Sequence, residues 1–314
     1  MKIAFITDPL PSFKIHKDST YAMMVEAARR GHDLFFMMQE DVMWKAGRVI
    51  GEIARLTLTG EKDPWYRAAP PRQTALAEFD AVLMRKDPPF DAEYLTSTWL
   101  LELAQNEGAK VFNHPRALRD HSEKLAIAEF PQYATPTLVT RLEKELQEFI
   151  DANGDVVLKP LEAMGGHSMF RVIDRDPNRN VIIEMLTRDG AKSIMAQRYI
   201  PEIRDGDKRI LLIAGKPVPH CLARIPKPGE TRGNLAAGGT GVARPLSARD
   251  LESASALGPK LAGRGLLLVG LDVIGDYLTE INVTSPTCFR EITDQTGFSV
   301  AGMFLDALEA ACAA

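Results

Sequence analysis

A pair of apolar runs around a turn constrains the fold of this chain more than any other feature of its sequence. Residues 266–273 and 277–283 flank Gly275 and Asp276, an arrangement that predicts a β-hairpin. Side chains alternate between the faces of a strand, so a hairpin fixes which residues of the two runs face each other. If the connection has three residues, Asp272 lies opposite Glu280.

Oxygen-bearing side chains gather on one face of this predicted hairpin. Glu280 and Asn282 are two positions apart and point the same way, and Asp272 would join them. Two carboxylates and an amide oxygen are hard ligands of the kind that Mg²⁺ takes beside phosphate oxygens. A solvated hairpin face is the alternative, but Ser285-Pro286-Thr287 and Arg290 follow at once. The hairpin therefore predicts a metal site, hydroxyl groups and a cation within one short segment.

The composition argues against several classes of function. The 314 residues carry a net charge of -4, whereas a nucleic-acid partner calls for a basic surface. The isolated cysteines Cys221, Cys288 and Cys312 indicate neither a disulfide framework nor a zinc site. No apolar run reaches the ~18 residues of a membrane span, and the first strand begins without a signal-peptide pattern. We therefore expect a cytoplasmic protein with no membrane contact.

The beginning of the chain predicts a parallel sheet. Lys2–Thr7 is a short apolar run, Asp18 and Ser19 can cap the following helix, and residues 34–38 form a second strand. This succession is typical of an α/β fold. No G-x-G-x-x-G follows the first strand, so a Rossmann dinucleotide site is not expected. Residues 47–72 are rich in turn formers and are expected to be an excursion or a long loop.

A basic segment, RKDPPF at residues 85–90, follows a predicted strand at 80–84. Its prolines force an extended exit from the carboxyl end of that strand, where open α/β sheets bind ligands. Its arginine and lysine therefore predict an anion site, with an ordinary basic loop as the alternative. A helix at Ala92–Asn106 and a strand at 110–113 complete a first domain that closes near residue 120.

Two lysines and a glycine-rich turn mark the middle of the chain as a phosphate site. Residues 120–123 have the spacing of a capping box and predict a helix with Lys124 in its first turn. Lys159 lies near the end of a short strand, Asp155–Pro160, and Gly165-Gly166 follows between two strands. Such a turn lets backbone N–H groups approach phosphate oxygens. An ordinary hairpin turn is the alternative.

The segment at residues 225–241 has five glycines and few bulky apolar side chains. It carries Lys227, Arg232 and Asn234, polar groups suited to a lid that closes over phosphates. A surface loop without function is the alternative. A helix at 250–264 then leads into the hairpin described first.

Taken in chain order, these segments resemble those of the bacterial glutathione synthetases, a family of ATP-grasp ligases. The likeness rests on RKDPPF at 85–90, QRYI at 197–200, GDKRILLI at 206–213 and GLDVIGDYLTEINVTSPT at 270–287. It runs almost from end to end of the chain.

The resemblance implies an α/β fold in three parts. Residues 1–121 would form an N-terminal parallel-sheet domain that precedes the ATP-grasp domain. Residues 122–200 would form the α+β lid subdomain of the grasp. Residues 201–314 would form its C-terminal α+β subdomain, with the magnesium site and the flexible loop 225–241.

The resemblance also implies a role for each residue of the site. Those that would bind the nucleotide are Lys124, Lys159, Gly165, Gly166, Ser168, Gln197, Tyr199, Ile200 and Asp207. Those that would hold magnesium are Asp272, Glu280 and Asn282. Those that would face the transferring phosphoryl group and the substrate carboxylates are Arg209, Arg224 and Arg232. Those that would bind the dipeptide are Lys17, Arg85, Ser285 and Thr287. The chain departs from the family's pattern at Ser122 and His167, which concerns only the fine geometry of the phosphate loop.

The implied reaction is the ATP-dependent ligation of γ-glutamylcysteine and glycine to glutathione, through an acyl phosphate. The implied cofactors are ATP and a pair of Mg²⁺ ions, with Mn²⁺ as a substitute, and the implied assembly is a homotetramer. One alternative is another ATP-grasp carboxylate–amine ligase, one that joins D-alanines or adds glutamate. Another is a nucleotide-binding regulatory protein that has lost catalysis.

Overall fold

The computed structural model describes residues 1–162, 165–230, 232–233, 235 and 238–313. The first part of the chain contains a mixed sheet and three α-helices. Its strands are β1 (Lys2–Thr7), β2 (Asp33–Met38), β3 (Val42–Lys45), β4 (Arg48–Leu58), β5 (Tyr66–Ala68), β6 (Arg72–Ala75), β7 (Ala81–Met84) and β8 (Val111–Phe112). Its helices are α1 (Ser19–Arg29), α2 (Ala92–Asn106) and α3 (Pro115–Asp120).

The parallel part of this sheet grows from its first strand. β1 pairs in parallel with β2 and β7, and β7 pairs in parallel with β8. β1 is buried from its second residue onward, as expected of a parallel strand with both faces covered. The carboxylate of Asp18 accepts a hydrogen bond from the backbone N–H of Tyr21 and so caps α1. The α/β opening predicted from the sequence is confirmed.

The expectation of a long loop at residues 47–72 is wrong. β4 is eleven residues long and pairs antiparallel with β2, β3, β5 and β6. The turn formers that suggested a loop lie between strands: Gly60 and Pro64 separate β4 from β5, and Pro70 and Pro71 separate β5 from β6. These residues mark the turns between three strands rather than an irregular segment, and β5 and β6 both pair with β4.

The second sheet is antiparallel and carries two helices against its core. Its strands are β9 (Thr137–Thr140), β10 (Asp155–Pro160), β11 (Phe170–Ile173) and β12 (Ile194–Arg198), in the order β11-β10-β12-β9. Its helices are α4 (Glu143–Asn153) and α5 (Arg179–Thr187). Leu146 and Ile150 of α4 and Ile183 of α5 pack with Val156 and Leu158 of β10 in one hydrophobic cluster.

The third sheet is antiparallel and contains the predicted hairpin. Its strands are β13 (Asp207–Ile213), β14 (Lys216–Pro217), β15 (His220–Ile225), β16 (Thr240–Pro245), β17 (Leu268–Ile274) and β18 (Tyr277–Asn282), in the order β16-β15-β13-β17-β18 with β14 beside β13. The helices that follow or cover it are α6 (Ala248–Gly263), α7 (Phe289–Thr296) and α8 (Val300–Ala313).

The first and third sheets share a hydrophobic core. Phe5 of β1 and Met24 of α1 belong to the same buried cluster as Leu268 of β17, Phe289 of α7 and Phe304 of α8. α8, the last helix of the chain, packs against α1. This common core holds the β17–β18 hairpin against the carboxyl edge of the first sheet.

The predicted capping box at residues 120–123 does not form. Lys124 precedes a short 3₁₀ helix, Leu125–Glu129, and no side chain caps it. The Glu123 carboxylate instead accepts hydrogen bonds from Val283 and Thr284, so it is not available to the helix. A capping box needs a free carboxylate, and here a distant segment of the chain competes for it.

In the part of the chain that the structure describes, no helix combines the length and apolarity needed to cross a bilayer.

Candidate functional site

Two cavities open beside the third sheet and meet at the β17–β18 hairpin. The first cavity lies between the second and third sheets. The second cavity lies between the third sheet and the loop at Asp87 and Pro88, which follows β7. Gly165, Asp272 and Glu280 line both. The two cavities therefore adjoin at this carboxylate pair and Gly165.

The structure brings most of the predicted residues to these cavities. Those that line the first are Lys124, Lys159, Gly165, Gly166, Gln197, Tyr199, Ile200, Asp207, Arg232, Asp272 and Glu280. Those that line the second include Arg209, Arg224, Asn282, Ser285 and Thr287. Ser168, Lys17 and Arg85 are not among the lining residues described for either cavity.

The lining of the first cavity includes apolar side chains and an aromatic ring against which an arginine stacks. The guanidinium carbon of Arg171 lies 3.8 Å from the centre of the Tyr199 ring. Arg171 is itself held by the Asp155 carboxylate, at 2.9 and 2.6 Å from its Nε and Nη2. Sequence reasoning missed Arg171, because only the strand pairing of β10 with β11 brings it near Asp155 and Tyr199. The aliphatic and methionine side chains that line the cavity are Val157, Met169, Ile200, Ile203 and Ile274.

The lining of the first cavity also includes two buried lysines. The Nζ of Lys124 donates to the Oε1 of Glu280 at 2.9 Å. Lys159 is only 6% exposed, and its Nζ lies 3.5 Å from the carbonyl oxygen of Thr279. Burial lowers the pKa of Lys159 to about 8, against the opposing attraction of Glu280. Two buried ammonium groups in one cavity would attract an anion with several oxygens.

A buried group of charges connects the two cavities. Arg224 donates from Nη2 to the Oδ2 of Asp207 at 2.5 Å and lies 2.9 Å from the Oδ2 of Asp272. Arg209 binds Asp272 through two contacts, of 2.5 and 3.1 Å. Burial would raise the pKa of Asp272, but these two guanidinium groups hold it below its usual range. Asp272 is therefore ionised at neutral pH.

Asp207 has an unusual environment at the edge of the first cavity. Burial raises the pKa of its carboxyl to about 6, although Arg224 acts in the opposite direction. Its Oδ1 is buried and has no hydrogen-bond partner among the described residues. A hydroxyl group of a bound ligand is the kind of donor that would satisfy this oxygen.

The predicted metal ligands lie together on the hairpin. Asp272 of β17 stands directly opposite Glu280 of β18. The amide nitrogen of Asn282 donates to the carbonyl oxygen of Gly270 at 3.2 Å, which leaves its own carbonyl oxygen available. The described residues contain no cluster of three or more His, Cys, Asp or Glu side chains suited to a metal. The donor set is two carboxylates and one amide oxygen, which fits Mg²⁺ when phosphate oxygens supply the remaining ligands.

The predicted dipeptide residues divide into two groups. Ser285 and Thr287 line the second cavity. Arg85 is buried behind them and donates to the Oγ1 of Thr20 at 3.1 Å and to the carbonyl oxygen of Pro286 at 2.9 Å. Lys17 lies in the turn before α1, where its charge acts on Glu291.

The glycine-rich loop between β15 and β16 reaches the first cavity through Arg232, which lines it and pairs with Glu230 at 3.1 Å. Asn234, which the sequence also assigned to a lid, lies outside the described residues, as do Ala163 and Met164 of the turn before Gly165.

The fold and the site together define an ATP-grasp protein. The chain superposes on a solved structure described as ATP-grasp ligase PsnB complexed with minimal precursor, Mg and ADP. The TM-score is 0.63, the identity is 17%, and the match covers 99% of this chain and 98% of that one. At this identity the likeness concerns the fold alone.

The sequence comparisons then identify the family. The family model described as prokaryotic glutathione synthetase, N-terminal domain, matches residues 1–119, and the prokaryotic glutathione synthetase ATP-grasp domain matches residues 123–297. A glutathione synthetase of Ralstonia nicotianae is 62% identical over 99% of this chain and 96% of its own length. One of Nitrosomonas europaea is 62% identical over 98% of both. The chain belongs to the prokaryotic glutathione synthetase family, and the resemblance predicted from the sequence is confirmed.

Proposed function

We propose that this chain forms glutathione from γ-glutamylcysteine and glycine at the junction of the two cavities, with ATP in the first and the dipeptide in the second. The observation that carries the proposal is that Asp272 and Glu280 line both cavities. Phosphoryl transfer requires the two substrates to be brought together around the metal ligands, and this hairpin is where they would meet. Family membership supports the same reaction.

The first cavity has residues suited to each part of a nucleotide: the base, the ribose and the phosphates. Its apolar side chains and Tyr199 would take the adenine, and the unpartnered oxygen of Asp207 would accept a hydrogen bond from a ribose hydroxyl. Lys124 and Lys159 would bind the phosphates. The backbone N–H groups of Gly165 and Gly166, both at positive φ, would approach them closely.

Asp272, Glu280 and Asn282 would hold Mg²⁺. The metal would neutralise phosphate charge and polarise the γ-phosphoryl group. In the described structure Arg209 and Arg224 occupy the oxygens of Asp272 and Lys124 occupies one oxygen of Glu280. When bound, the metal would compete with these cations for the carboxylate oxygens, and the cations would then be available to bind the phosphates and stabilise the transferring group.

The chemistry needs no side-chain nucleophile. A carboxylate does not acylate an amine at neutral pH, so its oxygen first attacks the γ-phosphorus of ATP and ADP leaves. The glycine amine then attacks the carbonyl carbon of the acyl phosphate, and phosphate leaves as the amide forms. Burial raises the pKa of the Cys288 thiol, the cysteine that lines the second cavity, so it remains protonated and unreactive.

The second cavity suits an anionic peptide. Arg209 and Arg224 face it and would bind carboxylate and phosphoryl oxygens, and Ser285 and Thr287 offer hydroxyl groups. Arg85 would act from behind, through Pro286. The loop that carries Arg232 would close over the cavities and exclude water, which would otherwise hydrolyse the acyl phosphate.

We also propose that the enzyme works in the cytoplasm as a homotetramer. Family resemblance suggests the assembly, and exposed apolar side chains support it: Trp44 of β3 is 60% exposed, and Trp99 and Leu103 of α2 are 50% and 45% exposed. Light scattering after size-exclusion chromatography tests this directly, since a monomeric mass would overturn it.

The function is tested by phosphate release from ATP and Mg²⁺ with γ-glutamylcysteine, in the presence and absence of glycine. We expect glycine-dependent release with glutathione formed in equal amount. D-alanine pairs serve as the control substrate for the other ATP-grasp ligases. Turnover with D-alanine alone would assign a different ligase activity, and ATP binding without turnover on any pair would favour a regulatory protein.

A further inference from the structure

The segment from Val283 to Thr287 joins β18 to α7 without belonging to a strand or a helix. It begins immediately after Asn282, a proposed metal ligand, and it carries Ser285 and Thr287 into the second cavity. We call it the connecting segment. Because it lies outside regular structure, the hydrogen bonds of its backbone have to come from elsewhere in the chain.

The Glu123 carboxylate accepts the hydrogen bonds of the first donors of this segment. Its Oε1 accepts from the backbone N–H of Val283 at 2.8 Å, from the N–H of Thr284 at 3.0 Å and from the Oγ1 of Thr284 at 3.0 Å. Its carbonyl oxygen also accepts from the N–H of Ile281 at 2.8 Å. Glu123 therefore binds the chain on both sides of Asn282.

The other side of the connecting segment is held by the first domain. The amide nitrogen of Asn113 donates to the carbonyl oxygen of Val283 at 2.8 Å. Arg85 donates to the carbonyl oxygen of Pro286 at 2.9 Å. Glu123 thus accepts from the N–H groups of Val283 and Thr284, while side chains from the first part of the chain donate to two carbonyl groups of the segment.

We propose that Glu123 is a positioning residue, which holds the connecting segment so that Ser285 and Thr287 meet the dipeptide while Asn282 faces the metal. The inference rests on the proposed function and extends it to Glu123, which lines the second cavity itself and whose Oε1 accepts three hydrogen bonds from the segment. Three hydrogen bonds converge on a single oxygen, so on this proposal an oxygen acceptor at this place, charged or neutral, is what holds the segment.

The variants Glu123→Ala and Glu123→Gln test the proposal. The Ala variant loses all three side-chain contacts, so the KM for γ-glutamylcysteine is expected to rise about ten- to hundredfold while the KM for ATP stays within about twofold. The Gln variant keeps a carbonyl oxygen that can accept the same bonds, and its KM values are expected to stay within about threefold of wild type. Glu129→Gln, at an exposed glutamate of the following helix, is the matched control and should change neither.

Thr284→Val provides a second route if the Ala variant does not fold. It removes one of the three donors and is expected to raise the dipeptide KM several-fold without changing the KM for ATP. In a folded Glu123→Ala background it should have little further effect. Equal defects in the Gln and Ala variants would assign the role to charge and overturn the proposal, as would an unchanged dipeptide KM in Glu123→Ala or Thr284→Val. A wild-type protein inactive on γ-glutamylcysteine would overturn the proposed function itself.

Discussion

Asp272 stands directly opposite Glu280 in the third sheet, although the turn between their strands would by itself pair Asp272 with Thr279. Ile274 pairs with Tyr277 and Val273 with Leu278, and then the register shifts by one residue. The Oγ1 of Thr279, the extra residue of this β-bulge, donates to the carbonyl oxygen of Asp272 at 3.1 Å. Bulges of this kind re-aim side chains at functional sites, and this one brings two carboxylates together where the cavities meet.

Removing the charge of Glu280 should abolish most turnover. Glu280→Gln is expected to lower kcat at saturating Mg²⁺ by about a hundredfold or more, because a metal ligand supplies several kcal/mol of stabilisation to the transferring phosphoryl group. Calorimetric titration with Mg²⁺ and a non-hydrolysable ATP analogue should show weakened metal binding. Asp276→Asn, at an exposed carboxylate in the turn of the same hairpin, is the control. Near-normal turnover of Glu280→Gln would refute the metal assignment.

Loss of Arg224 should destabilise the fold as well as the site. Arg224→Met leaves the buried carboxylates of Asp207 and Asp272 without the cation that they share. The expected cost is about 3–5 kcal/mol of unfolding free energy, since an unpaired buried charge is strongly unfavourable. Urea unfolding of the ligand-free protein measures it, with Arg204→Met at an exposed position as reference. An unchanged unfolding midpoint would contradict this prediction and would show that Arg209 alone is enough to stabilise the buried carboxylates of Asp207 and Asp272.

The stacking of Arg171 on Tyr199 should affect the KM for ATP but not the KM for γ-glutamylcysteine. Arg171→Leu removes a cation that stacks on the ring at 3.8 Å, so the KM for ATP is expected to rise about two- to fivefold. The KM for γ-glutamylcysteine should not change, because we propose that this substrate binds in the other cavity. Arg175→Leu, at a largely exposed arginine close by in the chain, is the control. A rise in both KM values would point to general loosening of the second sheet.

Acid should destabilise the protein through His121. Burial lowers the pKa of this imidazole from 6.5, and its Nε2 lies 3.1 Å from the carbonyl oxygen of Ile281. Below pH 6.5 the imidazole is therefore protonated in the unfolded chain but not in the folded chain. As the pH is lowered from 6.5 to the pKa of His121 in the folded protein, the unfolding free energy decreases.

The variant His121→Gln isolates this effect. His121 contributes at most about 1.4 kcal/mol per pH unit to the slope of the unfolding free energy against pH. The variant should lose that part of the slope, while its side-chain amide can still donate to the carbonyl oxygen of Ile281. His16→Gln, at an exposed histidine, is the control. If the stability curves of wild type and His121→Gln run parallel from pH 7 to pH 5, the prediction is wrong.

Much of the fold could be predicted from local pattern. Ala92–Asn106 forms the helix expected, with its first turn capped by Asp91, and Asp155–Pro160 forms the strand expected. The pairing of Asp272 with Glu280 was also predicted, but from a three-residue turn. The turn has two residues, and the β-bulge shifts the register by the one residue that makes the pairing possible. A bulge leaves little trace in a sequence, because it depends on how two strands pack.

The contacts of the site that join distant segments could not be predicted. Glu123 has the spacing of a helix cap, and only the folded chain brings Val283 and Thr284 near enough to compete for its carboxylate. The stacking of Arg171 on Tyr199 likewise depends on the pairing of β10 with β11 and β12. Arg85 was predicted to bind the dipeptide, a role that stays a prediction, and its support of Pro286 was not foreseen.

The central claim is that the dipeptide carboxylate, held in the second cavity, attacks ATP across the Asp272–Glu280 pair. The most direct test uses γ-glutamylcysteine labelled with ¹⁸O in its cysteinyl carboxylate, with glycine, ATP and Mg²⁺, and mass analysis of the released phosphate. We expect each released phosphate to carry one ¹⁸O atom, because the attacking oxygen leaves with the phosphoryl group. Glutathione formed together with unlabelled phosphate would contradict it.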